Sequence, residues 1–143
     1  MVDKMIIIDG ENMVFGRLAS QVSKKLLAGE EVHIINSEKI IFTGNPDYLK
    51  NRYLQKRRLQ NKACPEHSPK WPRVPNMFVK RLLRGMLPWK KARGKAAFER
   101  LFVYAGNPKK LKSNIHIENA RFDVGQLKYI TVKELCRGLG YES

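Results

Sequence analysis

Apolar residues change rhythm along this chain, and each rhythm marks an element. Residues 5–9, MIIID, form a short β-branched run closed by Gly10, the pattern of a buried strand. Beyond a turn, Leu18, Ala19, Val22, Leu26 and Leu27 recur at helical spacing. Lys24 and Lys25 fall on the opposite face, and Gly29 stops the element. Residues 31–36, EVHIIN, read as a second strand. Strand, helix and strand within about 30 residues make a βαβ unit, which predicts parallel strands and a right-handed crossover.

The pattern then weakens. Ile40, Ile41 and Phe42 continue it to a turn at Thr43-Gly44-Asn45-Pro46, where Asn45 can cap a helix and Pro46 suits its first position. That helix is expected over 46–61, yet its apolar residues are few: Tyr48, Leu49, Tyr53, Leu54 and Leu59. Four prolines between 64 and 75 forbid a continuous helix or central strand, so an extended loop is expected. Pro75 opens a helix to about Arg84 with Phe78, Val79, Leu82, Leu83 and Met86 as its apolar stripe. Residues 88–94, PWKKARG, read as a basic turn, 95–100 as a short helix and 101–104, LFVY, as a strand. Residues 115–117 suit a short extended piece. Thr131-Val132-Lys133-Glu134 is a capping box for a last helix through Cys136 that Gly138 and Gly140 end.

Charge follows the same division. Residues 50–112 hold 19 Lys and Arg against Glu66 and Glu99, a net of +17. The remaining residues hold 9 basic and 11 acidic groups, so the chain's +15 comes from one central block. A solvated face normally mixes both signs, and an excess this concentrated calls for a polyanion. A nucleic-acid backbone is the obvious one. Tyr48, Tyr53, Trp71, Trp89 and Tyr104 lie in or beside the block and could stack on unpaired bases. Tyr104 belongs more naturally in the core, whereas Trp71, between Lys70 and Pro72, is the better stacking candidate.

Other chemistry finds little support. Asp9 to Arg17, DGENMVFGR, places two glycines between strand and helix but lacks the Gly-Lys-Ser/Thr of a P-loop and the Rossmann spacing. Cys64 and His67 have metal-like spacing, but His33, His116 and Cys136 supply no second pair, so no metal is expected. Asp3, Asp9 and Glu11 could hold a metal in a nuclease, though Asp9-Gly10 is more simply a turn. Neither a cofactor nor a catalytic constellation is indicated. No apolar run approaches the roughly 20 residues of a membrane helix, no secretory signal is read at the N-terminus, and the two cysteines are expected to be free thiols of a cytoplasmic protein.

The segment Leu83-Arg84-Gly85-Met86-Leu87-Pro88, five residues, Gly94-Lys95, five residues, then Leu101-Phe102-Val103-Tyr104-Ala105-Gly106 resembles the signature of the thirteenth large-subunit ribosomal protein family. Gly16-Arg17-Leu18-Ala19-Ser20, Val32 to Asn36 with Ser37-Glu38-Lys39-Ile40, and Thr43-Gly44 agree with it, so the likeness covers nearly the whole chain. Bacterial members carry His-Pro-His soon after the Gly106 position. Asn107-Pro108-Lys109-Lys110 stands here instead, which resembles the archaeal and eukaryotic branch, and the short length suits an archaeal-type member.

The resemblance implies one α/β domain over 1–143. It would be three-layer α/β/α with a mostly parallel four-stranded sheet and a basic, Pro-rich central insertion. It also implies a non-enzymatic, structural role on large-subunit ribosomal RNA beside neighbouring large-subunit ribosomal proteins, with no small-molecule substrate. The block's RNA-facing residues are then expected to be Lys50, Arg52, Lys56, Arg57, Arg58 and Lys62 on and after its first helix, and Lys70, Trp71 and Arg73 on the proline loop. Arg81 and Arg84 on the next helix, Lys90, Lys91, Arg93 and Lys95 in the turn, and Lys109 and Lys110 beyond Gly106 extend the surface. Arg17, at a helix start with free backbone N–H groups, is a further phosphate contact. Gly85 and Gly94 are expected to let the backbone approach RNA closely.

Overall fold

The computed structural model describes residues 4–123, 125 and 127–142. In chain order they form β1 (Met5–Asp9), α1 (Phe15–Leu27), β2 (Glu31–Ile35), β3 (Ile41–Thr43), α2 (Pro46–Arg58), α3 (Pro75–Arg84), α4 (Ala92–Glu99), β4 (Leu101–Val103), β5 (Tyr129–Thr131) and α5 (Val132–Gly138). The expected βαβ unit is present: β1 and β2 pair in parallel with Ile7 opposite His33, and β4 adds in parallel on the far side of β2.

The expected fourth strand of this sheet is not formed among the described residues. The free edge of β1 carries one isolated parallel rung, Ile8 to Ile115. Beside it the Asn114 side chain takes the backbone groups that a strand would pair, accepting from Ile7 N–H at 2.8 Å and donating to the Met5 carbonyl at 3.0 Å. Residues 40–42, expected to extend the βαβ pattern, instead contribute β3 to a separate two-stranded antiparallel sheet with β5, a strand not foreseen from sequence.

Alternation along the parallel strands sends Ile6, Ile8, Val32, Ile34, Leu101 and Val103 to one face, and all six belong to the core cluster. The buried apolar side chains of all five helices join that cluster, including Leu18, Val22 and Leu26 of α1 and Phe78, Val79 and Leu83 of α3. Strand order β1-β2-β4 moves in one direction across the sheet, so right-handed crossovers place their helices on the same side. On the opposite face Ile7, His33 and Ile35 are buried outside the cluster.

Five rings bind the elements together at the edge of this core. Phe15 of α1 stacks on Phe42 of β3 at 5.0 Å, and Phe42 meets Tyr53 of α2 and Phe78 of α3 edge-on. Trp71, from the proline-rich loop, completes the set at 5.9 Å from Tyr53 and 6.4 Å from Phe78. Boundaries shift where a local signal was misjudged. Leu59 turns extended and ends α2 three residues early, and α4 starts at Ala92, so Gly94 lies inside it. Met86, counted in the α3 stripe, lies past the helix end and is 45% exposed. The α5 capping box forms as expected.

Cys136 is fully buried in the cluster, and burial pushes its thiol pKa up to about 12. Because only the thiolate attacks, one thiol, Cys64, should react with a thiol reagent at pH 8 in the native protein, and both should react in denaturant. The raised pKa also means that the folded state holds more protons than the unfolded state above about pH 9. Cys136 therefore lowers stability progressively as pH rises from there. Rapid native labelling of both cysteines would contradict this packing.

Candidate nucleic-acid interface

The basic surface is built on elements that bury little of themselves. Asn45 caps α2 by accepting from the Asp47 N–H at 3.0 Å, and Pro46 holds the first position. Tyr53 is the buried residue of α2, with Leu49 and Leu54 partly buried beside it. Arg52 and Arg58 are exposed, while Lys50, Lys56 and Arg57 are half-buried. The Lys50 stem lies over Gly138 of α5, 3.1 Å from where a Cβ would stand there. Its aliphatic carbons pack while the ammonium can reach solvent.

The proline-rich loop is tied to α2. An Nη1 of Arg57 donates to the Trp71 carbonyl, and burial, with Arg73 nearby, lowers the Arg57 pKa. Inside the loop the Asn61 N–H donates to Ser68 Oγ at 2.9 Å, and a single 3₁₀ turn covers Pro65–His67. Trp71 is not a free-standing platform. It is half-buried, anchored on Tyr53 and Phe78, with Lys56 Nζ 4.9 Å and the Arg81 guanidinium 5.2 Å from its ring. Burial, with Arg52 second, lowers the Lys56 pKa. Lys62, Lys70 and Arg73 are exposed around it.

Helix α3 turns Phe78, Val79 and Leu83 inward and presents Met77, Lys80, Arg81 and Arg84 along its other side. These four recur at i, i+3, i+4 and i+7, so the expected Arg81 and Arg84 face is present and Met77 and Lys80 extend it. Together with Trp71, Pro72 and Phe98 they line an open pocket of about 450 Å³. A second pocket of about 420 Å³ adjoins it at Arg84, lined by Leu87, Pro88 and Trp89 with Lys90 and Lys91. The Arg84 guanidinium lies 4.9 Å from the Trp89 ring, Trp89 meets Phe98 edge-on at 5.0 Å, and Lys80 Nζ lies 5.0 Å from Phe98. Sequence reasoning missed Met77, Lys80 and Phe98.

Lys91 sits at the N-cap of α4 with no side-chain cap, no acidic residue follows in the first turn, and Lys90, Arg93 and Lys95 are exposed around it. Cations at a helix N-terminus oppose the backbone dipole, so this arrangement favours an incoming anion. Gly94 was expected to admit RNA. It is buried, and a Cβ there would lie 2.1 Å from the Pro88 carbonyl oxygen. The close approach is to the chain's own turn, whereas Gly85 is exposed as the α3 C-cap.

Not every expected residue joins this surface. Arg17 donates to the Asn119 carbonyl at 3.3 Å and shares a separate hollow with Glu118, Arg121 and Asp123. Lys109 and Lys110 are exposed, with Lys109 Nζ 5.1 Å from the Tyr104 ring. Tyr104 is half-buried outside the core cluster, its ring 5.9 Å from that of His33. Arg100, also basic, is internal: its Nη2 donates to the Leu26 carbonyl at 2.9 Å. Among the described residues the ion pairs are Lys25–Glu30, His33–Glu31 and Lys39–Glu11, and none involves a basic residue of 50–112.

The nuclease alternative loses its groups to structural work. Asp9 Oδ1 accepts from the Glu11 N–H and from Asn36 Nδ2, both at 3.0 Å, and Glu11 pairs with Lys39. Asp3 lies outside the described residues. Cys64 and His67 flank the 3₁₀ turn, and among the described residues no three His, Cys, Asp or Glu converge on a metal-sized site. No helix among the described residues is long and apolar enough to cross a membrane.

Residues 3–110 match the family model described as Ribosomal protein L13. This chain belongs to the ribosomal protein L13 family. The chain is similar to the large ribosomal subunit protein uL13 of Methanocaldococcus jannaschii, 43% identical over 137 residues, or 95% of this chain and 98% of that one. It is 43% identical to the Methanopyrus kandleri protein of the same name, over 98% of this chain and 89% of that one. The Aeropyrum pernix protein is 40% identical, over 96% and 90%. These relatives fit the archaeal-type expectation. The family match takes in α2, α3, α4 and both pockets. Residues 111–143, which hold β5 and α5, lie beyond the family model, but the likeness to the Methanopyrus kandleri protein, covering 98% of the chain, takes in nearly all of them.

The Gly94 contact yields a direct test. Gly94→Ala forces a methyl into the Pro88 carbonyl and should destabilise the free protein by about 1–3 kcal/mol, seen as a Tm lowered by several degrees. A Tm unchanged by the substitution would mean that α4 does not rest on the 88–89 backbone.

Proposed function

We propose that this chain is a structural constituent of the large ribosomal subunit. It binds large-subunit ribosomal RNA and stabilises it during assembly and in the mature cytoplasmic ribosome, next to other large-subunit proteins, and catalyses nothing. Residues 1–143 act as one domain, with 50–112 as its RNA face and the proline-rich loop as an insertion on the α/β scaffold. The Ile115 rung holds the position of the fourth strand in the family's sheet.

One observation carries the reading: the 19 basic residues of 50–112 make no ion pair with a carboxylate among the described residues. Uncompensated charge of this density gains most from a phosphate backbone, which releases counterions as it binds. Arg52, Arg58, Arg73, Arg81, Arg84 and Arg93 can each clamp two phosphate oxygens, while Lys62, Lys70, Lys90, Lys91, Lys95, Lys109 and Lys110 act as mobile point charges. Lys50, Lys56, Arg57 and Trp71 hold the surface together as well as contributing to it. Arg17 makes a separate contact from its own hollow. The A-form major groove is too narrow for side chains, so specificity comes from RNA shape and from unpaired bases.

Salt tests the mechanism. If about 6–10 phosphates are neutralised, affinity for large-subunit rRNA falls on the order of a thousandfold between roughly 50 and 200 mM salt. A nearly flat titration would refute it. Sedimentation at physiological salt through a gradient that resolves subunits should place the native protein with large subunits. A free RNA chaperone or translation regulator would stay near the top of the gradient.

Lys91→Glu separates binding from folding. A carboxylate at the α4 N-cap suits the helix dipole, so the free protein should be as stable as the parent or up to about 1 kcal/mol more stable. Its RNA affinity should fall. A drop in Tm instead would make Lys91 a structural residue.

A further inference from the structure

We propose that the open pocket lined by Trp71, α3 and Phe98 of α4 receives one unpaired base of large-subunit ribosomal RNA. This rests on the RNA-binding reading above and names what its central pocket takes. The cavity measures about 450 Å³, within the range of small-molecule pockets. Its floor is apolar and pre-formed. Trp71 is held by Tyr53 and Phe78, and Phe98 is held edge-on by Trp89 at 5.0 Å. Met77 completes the floor while 57% exposed, so an apolar side chain faces solvent where folding alone does not require it.

Lys70, Lys80, Arg81 and Arg84 complete the lining, Lys80 and Arg81 lying against the Phe98 and Trp71 rings, and no carboxylate lines the pocket. An apolar floor among these cations matches a ligand that is flat and apolar in one part and anionic on either side. A nucleotide in a strand has that form: the base offers a π face, and a phosphate lies on each side of its sugar. An apolar side chain from a protein would fill the floor but leave four cations unanswered. Because a paired base is shielded inside its helix, the base must come from a loop, bulge or junction. The rigid floor lowers the ordering entropy lost when the base docks.

The test uses the full chain and large-subunit rRNA from the same organism, with Met77→Asp as the probe variant. Met77 is exposed, so the fold tolerates the change, and the new carboxylate sits where the base would. Asn76→Asp is the control: it adds the same charge one residue away, outside the pocket lining. Hydroxyl-radical cleavage reports docking of the RNA backbone, and dimethyl sulfate reports burial of unpaired bases. The parent and the Asn76→Asp chain should protect the same one or few bases. At saturating protein Met77→Asp should keep the backbone footprint but leave a base reactive, with affinity lower than the control's by about fivefold or more.

Identical base protection and affinity for the two variants, with the backbone footprint intact, would overturn the pocket assignment and leave the RNA-binding reading standing. Absence of any backbone footprint with the parent protein would overturn both. If Met77→Asp subunits lost a neighbouring protein while their base reactivities stayed the same, the occupant would be a protein side chain and the proposal would fail.

Discussion

The cluster of five rings, Phe15, Phe42, Tyr53, Phe78 and Trp71, is the contact on which the basic face depends. Like charges on α2, the loop and α3 push these elements apart, and neither Asp47 of α2 nor Glu66 of the loop forms an ion pair that draws them together. Attachment therefore rests on ring packing, with the Arg57 hydrogen bond to the Trp71 carbonyl and the Lys56 and Arg81 cations over the Trp71 ring adding to it. Each ring pair contributes about 0.5–1.5 kcal/mol beyond its buried area. An exposed pair of like charges at 4 Å costs only about 1 kcal/mol in water, and salt screens pairs beyond roughly 10 Å. Apolar packing at one point can therefore hold a repulsive surface, provided the charges stay in solvent. Arg52, Arg58, Lys62, Lys70 and Arg73 do, whereas Lys56, Arg57 and Arg81 are half-buried against Trp71, whose ring and carbonyl receive their charge.

The same balance explains which parts of the molecule could be read from its sequence. The N-terminal βαβ unit was legible because its burial is one-sided and regular, so apolar spacing mirrors geometry. Caps were legible where side chains do the work, at Asn45 and at Thr131 with Glu134. The second sheet was not, because β3 and β5 are three residues each and Phe42 pairs with Ile130, 88 positions further along the chain. Nothing in a local window announces such a pairing. The missing fourth strand has a similar cause: the β1 edge is met by the Asn114 side chain and by one backbone rung at Ile115, a contact too short to leave a periodicity.

The candidate interface was legible as a charge block but not as a shape. Composition located the excess between 50 and 112 and singled out Trp71. It did not show that Trp71 leans on the core, nor that Met77 and Phe98 would meet it from two other elements to form a floor. Gly94 shows the limit most clearly. Glycine beside lysines in a basic turn suggested room for RNA, yet the residue it makes room for is the chain's own Pro88. Which backbone comes close to a glycine is a tertiary fact.

Three helices, α1, α3 and α4, begin without a side-chain cap or an acidic first turn, while α2 and α5 are capped. A protein selected for its own stability alone would place Asp, Ser or Glu at the N-terminus of α4, where such a residue contributes about 1 kcal/mol. Lys91, Arg93 and Lys95 stand there instead. The free chain thus forgoes stability at the points where an anion would restore it, satisfying open N–H groups and cations together. Under the proposed function, folding and binding are coupled quantities: stability forgone by the uncompensated face of the free chain would be recovered as affinity when phosphates bind.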